Sequence, residues 1–239
     1  MSNITIFLHL GKFKGLNDKM KIFGKIIYSK NKARLIIELI LLFVLFPLFL
    51  AYFKIKIPLM LVLVFFGILI FLFLRFDPSF DKKQFANWKS GKHILKEVLL
   101  IFTAAAIIMV SLIYIIDPSR LFFLAKKIPW LLVLISIFYP LFSVLPQTLI
   151  YRLFFFHRYD SLFKNEILKI ILSGLFFSLG HLLYKNILVL GLAFIAGIIF
   201  AYHYSKSKSL TLSFFEHSLY GVWLFASGLG YFFVSQFVK

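Results

Sequence analysis

The chain is predicted to be an all-α polytopic membrane protein with seven or eight spans and a cytoplasmic N-terminus. Three observations predict it. Of 239 residues, 62% are hydrophobic and only 15% charged, where a soluble domain carries about a quarter charged residues on its water-facing surface. The mean hydropathy is +0.95. The apolar residues fall in successive runs of the length a bilayer-crossing helix needs, about 20 residues.

The basic N-terminal segment, residues 1–34, comes first. It mixes eight Lys and Arg with Ile4, Phe7, Leu10, Phe13 and Ile22, which suits either an amphipathic helix on an anionic leaflet or a solvated tail. It lacks a compact apolar run with a small-residue cleavage site, so the first span is expected to act as an uncleaved signal anchor. From residue 35 to 239 the sequence reads as one transmembrane domain. Span one covers about 35–53, span two 58–74 and span three 98–116. Span four covers 129–151, with a continuation to 156; span five covers 167–184 and span six 187–204. The last apolar run starts near Ser209 and reaches Val238, too long for one untilted crossing. Breaks at Gly221, Gly228 and Gly230 would raise the count to eight. The polar loop 77–93 is expected to hold a second surface helix.

The net charge of +18 would suggest nucleic acid in a soluble protein. Here it sorts by side: on this topology twenty Lys and Arg fall on one face and seven on the other. That is the bias that places the richer face in the cytoplasm, and no nucleic-acid partner is expected. The absence of cysteine excludes disulfides, iron–sulfur clusters and thiolate chemistry. No inverted repeat is visible and acidic residues are few, which argues against a transporter.

Ionisable groups at membrane depth cost several kcal/mol each, so they persist mainly where they pair or work. They gather in the last hundred residues: Gln147, Thr148 and Arg152 in span four, His181 in span five, Glu216 and His217 in the last run. Two histidines on separate helices beside a carboxylate and an arginine suit a general acid–base site or a metal site. His181 lies one turn beyond Phe177, and His217 one turn beyond Ser213, so each pair shares a helix face. Bland readings stand beside these: Arg152 as a snorkelling helix-end residue, His181 as an interhelical hydrogen-bonding residue, Glu216 as a packing partner of Arg152. His157 is read as structural. His9, His93 and His203 are read as interface or tail residues, and Ala193, Gly197 and Ala201 as a helix-packing stripe.

With these residues in order, the chain resembles the CPBP intramembrane proteases over roughly residues 135–233. That family includes the CAAX prenyl endopeptidases and the bacterial Abi-type, bacteriocin-processing and immunity proteins. Its motifs are a Glu pair followed by three residues and Arg, then Phe-x-x-x-His, then His-x-x-x-Asn. Phe177-Ser-Leu-Gly-His181 matches the second. Gln147-Thr-Leu-Ile-Tyr-Arg152 aligns with the first, followed by LFFFHRY as in a bacterial branch; both glutamates are replaced. Glu216-His217-Ser-Leu-Tyr-Gly221 aligns with the third, with Gly where Asn is usual.

The resemblance implies an intramembrane endopeptidase acting on peptides or lipidated peptides near the cytoplasmic leaflet, in a bacterial inner membrane. His181, His217 and Arg152 would be its catalytic residues, with Glu216 as a candidate replacement base and Gln147, Thr148 and Phe177 against substrate. Neither Gln147 nor Thr148 accepts a proton near neutral pH. The implied alternative is therefore a catalytically inactive member serving as a scaffold, immunity or substrate-binding protein in contact with lipid and a membrane-protein partner. Zinc is left open: only His181 and His217 stand as ligands, too few for a closed tetrahedral site.

Overall fold

A computed structural model describes Tyr28, residues 31–53 and residues 58–233. The expected amphipathic segment lies, apart from its last few residues, outside the described residues. Helix α1 spans Lys32–Phe53, α2 Leu59–Phe76, α3 Leu95–Ile116 and α4 Pro129–Arg158. Helix α5 spans Glu166–Leu179, α6 Ile187–Ser207 and α7 Leu210–Ser227. Among the described residues, six helices are long and apolar enough to cross a membrane, α1 to α6. The chain is an integral membrane protein built as a helical bundle.

The seventh helix falls short on composition because it is the enclosed one. It packs against α3, α4 and α6 and buries Ser213, Glu216, His217 and Tyr220, polar groups that a lipid-facing helix would not carry. The outer helices show the reverse pattern: Ile37, Leu61, Ile107, Ile115 and Ile187 are exposed, as expected where hydrocarbon is the solvent.

Side-chain caps satisfy the first free amides of several helices where the chain leaves the bilayer. Asn31 accepts from Arg34 N, Asn165 from Ile167 N and Leu168 N, Asn186 from Leu188 N and Val189 N, and Ser209 from Leu212 N. Helix α7 stops at Gly228, whose φ of +110° only glycine adopts without strain.

The 30-residue α4 contains Pro140 and Pro146, each lacking the N–H an α-helix needs. Wider π turns at Pro140–Val144 and Leu149–Phe154 absorb the mismatch. Such turns insert one extra residue and so rotate everything beyond them. The first-motif residues 147–152 run into the second π turn.

Helices α5 and α6 form the closest antiparallel pair. A Cβ built on Gly197 would stand 2.9 Å from Gly174 Cα, and one on Gly174 would stand 3.0 Å from Ile198 N. The two backbones therefore touch at this pair of glycines, flanked by buried Ala193 and Ala201, so the four-residue stripe is helix packing. The 77–93 loop carries a turn at Lys82–Phe85 and a short helix, Trp88–Lys92. That helix lies against α6 and α7: Ser90 Oγ donates to Ser207 O at 2.6 Å, and Gly91 abuts Leu212. Asp77 closes the loop onto α4, accepting from Ser79 and pairing with His157 at 2.8 Å.

Candidate functional site

Phe177 stands at the centre of the region where the motif residues meet. Its ring centroid lies 4.8 Å from that of His181 and 5.4 Å from that of His217, and the Arg152 guanidinium carbon lies 5.3 Å above it. Phe200 of α6 forms the second wall, 4.9 Å from His217 and 5.8 Å from Arg152. Residues from four helices thus converge on one aromatic core.

His181 follows the last turn of α5. Its Nδ1 is 2.8 Å from the Phe177 carbonyl; a carbonyl only accepts, so Nδ1 carries the proton. In the neutral ring Nε2 is then the basic nitrogen. Helix α7 carries His217, 7% exposed, between the two phenylalanines. Both imidazoles line a cavity of about 200 Å³ that Gln147, Ser143, Tyr139, Tyr184 and Tyr220 also face.

Arg152 does not line that cavity and does not snorkel. It is 2% exposed, and its Nη1 donates to Ser173 Oγ at 2.7 Å and to Tyr151 O at 3.0 Å. Ser173 in turn donates to the same Tyr151 carbonyl. The guanidinium is held behind Phe177 and Phe200 by neutral oxygens, so the two rings stand between it and the cavity.

The two first-motif positions part company. Gln147 lines the cavity and donates from Nε2 to Ser143 Oγ at 2.8 Å, leaving Oε1 without a partner. Thr148 is turned into the packing, 2% exposed, and donates to Val144 O at 2.8 Å. One residue along a helix is a rotation of about 100°, which here turns Thr148 off the cavity wall that Gln147 lines.

The same rotation separates Glu216 from His217. With His217 on the cavity, Glu216 points at α6, where His203 Nδ1 meets its Oε1 at 2.5 Å; both side chains are fully buried. Two expectations are corrected here. His203 is not an interface or tail residue but the partner of Glu216, and the ion-pair partner of Glu216 is His203 rather than Arg152. His203 Nε2 lies 4.0 Å from Glu97 Oε1, and Glu97 is bound by Lys206 at 3.0 Å. A histidine four residues from the end of a span, with a carboxylate on the next helix, was the signal available; the sequence contains no mark that pairs them.

The remaining described carboxylates are also engaged away from the cavity. Glu38 pairs with Arg158, Asp77 with His157, and Asp117 with Arg120; Asp160 and Glu166 pair with Lys169. Asp81 caps the turn after it. As for a metal, a catalytic zinc site needs three protein ligands. The cavity offers two imidazoles, and no group of three His, Cys, Asp or Glu capable of holding a metal exists among the described residues. The donor set does not fit zinc.

Besides Phe200, Tyr184 and Tyr220, two cavity residues of α4 escaped the sequence reading, Tyr139 and Ser143. They precede Gln147 by eight and four residues, a one-face spacing that would have found them.

Residues 129–223, from the start of α4 to the last turns of α7, match the family described as type II CAAX prenyl endopeptidase Rce1-like. The matched segment contains Gln147, Arg152, His181, His217 and Gly221. No curated protein and no solved structure matches the chain.

Proposed function

Taking residues 129–223 as an Rce1-like domain within a membrane-embedded, endopeptidase-like protein, we propose that the chain binds a peptide or lipidated peptide in the Phe177 cavity without cleaving it by a carboxylate-driven route. One observation carries this reading. The cavity holds two imidazoles and an amide, whereas each described carboxylate is bound elsewhere. A positioned general base contributes about 10²–10⁴-fold to such a reaction. The Gln147 amide cannot accept a proton, and Glu216 is committed to His203.

The cavity's depth suits a membrane-borne ligand. His217, Gln147 and His181 lie roughly two to four helical turns inside the end of the bundle where Arg158, Glu166 and Leu210 sit, the proposed cytoplasmic side. A second cavity, apolar and about 90 Å³, is walled by Leu63, Phe66 and Ile150 and reaches Tyr151 and Gly180. A small chamber shares those two residues and joins them to Gln147 and His181. A hydrocarbon chain in the apolar cavity can thus belong to a peptide in the Phe177 cavity. The partner is then a lipidated or membrane-inserted peptide, in a bacterial inner membrane.

The histidines favour a second reading: His181 Nε2 as a base and His217 as an acid, giving slow hydrolysis. Equilibrium binding of a fluorescent farnesylated peptide to the detergent-solubilised protein, with mass spectrometry of the same samples, separates the two. Saturable binding, weakened in His217→Ala and with the peptide recovered whole, supports the binding role. Cleavage lost in both His181→Ala and His217→Ala supports the hydrolytic one. Absence of binding rejects both.

A further inference from the structure

The cavity wall formed by α4 presents three polar side chains in a row, Tyr139, Ser143 and Gln147. Resting on the peptide-binding reading above, we infer that this row is a hydrogen-bonding track for the backbone of an extended, uncharged peptide, read at every second residue.

The spacing comes first. Residues four apart on a helix rise about 6 Å, and two residues of extended chain advance about 6.4–6.8 Å. In an extended chain the N–H and C=O of one residue point to the same edge, and those of residues i and i+2 share it. Each rung of the track therefore meets one N–H and C=O pair on alternate residues. The π turn at Pro140–Val144 shifts the helical register yet leaves all three side chains on the cavity.

The donors and acceptors are free to engage. Gln147 Nε2 donates to Ser143 Oγ, which uses the serine as an acceptor and leaves its own proton available. Gln147 Oε1 is buried without a partner, a standing demand for a donor that a bound amide N–H meets when the side-chain amide turns toward the cavity. Tyr139 Oη makes no hydrogen bond among the described residues. The track thus offers two hydroxyl donors to peptide carbonyls and one acceptor to a peptide N–H. No Lys, Arg, Asp or Glu is among the described cavity-lining residues, so a charged side chain on the ligand would meet no counter-charge from them.

Gly221 fixes the first rung. A Cβ at residue 221 would lie 2.7 Å from Tyr139 Oη and 2.8 Å from its Cζ. Glycine therefore lets the phenol lie against α7, one turn beyond His217, with Phe225 packed edge-on at 5.4 Å. The track and the two histidines consequently face a common space.

The test uses the full chain and a fluorescent farnesylated heptapeptide, together with analogues in which each backbone amide in turn is replaced by an ester. An ester removes one N–H and weakens the adjacent carbonyl without altering side chains. Because the N–H and C=O of one peptide unit face opposite edges of an extended chain, affinity is expected to fall roughly two- to tenfold at three units only: the two, two residues apart, whose carbonyls face Tyr139 and Ser143, and the one whose N–H faces Gln147. Tyr139→Phe keeps the ring against Gly221 and is expected to weaken the parent probe by a similar factor with an unchanged unfolding transition. Ser143→Ala is expected to do the same, and should it fail to fold, the ester series on the wild type stands alone. A flat ester profile, a three-to-four-residue period, or an unaffected Tyr139→Phe overturns the track while leaving peptide binding intact. A wild type that binds no probe overturns the peptide-binding reading and the track with it.

Discussion

Removing His203 tests the assignment of Glu216 as a buried structural carboxylate. Both side chains are fully buried, their contact is 2.5 Å, and Glu216 Oε2 already lacks a partner. His203→Ala would leave the carboxylate with no bonded partner in a low-dielectric interior. Breaking a buried pair in this way costs about 3–5 kcal/mol, which for a chain of this size is a fall in Tm of roughly 6–20 °C. Replacing the pair by apolar residues of similar bulk, His203→Phe with Glu216→Leu, removes both desolvation penalties and is expected to return stability to within about 1 kcal/mol of the wild type, or above it. Thermal unfolding in one detergent of the wild type, His203→Ala, His203→Phe, Glu216→Leu and the double variant measures both numbers, with the wild type and the last three read as a double-mutant cycle. A small loss in His203→Ala, or a double variant no more stable than the single one, would refute the pairing and reopen Glu216 as a group free to serve the cavity.

Two further outcomes follow from the packing and from the interfacial loop. Gly197→Leu drives a side chain into the Gly174 backbone, which cannot move aside as a flexible side chain would; it is expected to cost about 3 kcal/mol, the upper end for overpacking, and a Tm unchanged in detergent would contradict the α5–α6 contact. Burial alone would push the Asp77 carboxyl up, but hydrogen bonds from His157 and Ser79 outweigh it and hold the group below the ordinary carboxylate range. A group depressed in the folded state contributes stability above its unfolded value of about 3.9, and that contribution disappears as pH falls through the folded value. The wild type should therefore lose Tm faster than Asp77→Asn between about pH 5 and about pH 2, and parallel profiles would show that Asp77 contributes nothing through its charge.

The spans were legible because each is an uninterrupted apolar run, and their ends lie within a few residues of the helices. Helix α1 begins at Lys32 rather than Leu35, since the Asn31 cap adds a turn before the apolar run starts. The last helix was legible as a helix but not as the enclosed centre of the bundle: enclosure lowers its hydropathy, so it falls outside the six helices long and apolar enough to span. His181 and His217 were found because ionisable groups at that depth stand out against hydrocarbon. Which of two adjacent residues faces inward was not legible. Gln147 against Thr148, and His217 against Glu216, depend on helix rotation, and in α4 that rotation is reset by two π turns, for which the prolines give a reason but not the register that results. The Glu216–His203 pair was hidden for a related reason, because it depends on how α6 and α7 pack.

The central claim is that the cavity binds a peptide but lacks a base, and substituting Gln147 by its isosteric acid addresses it most directly. Gln147→Glu places a carboxylate on the cavity wall beside Ser143, facing the two histidines. With a farnesylated peptide at saturation and products counted by mass spectrometry, the wild type is expected to leave the peptide whole and Gln147→Glu to cleave it. Cleavage by the wild type that Glu216→Gln or His217→Ala abolishes would contradict the account.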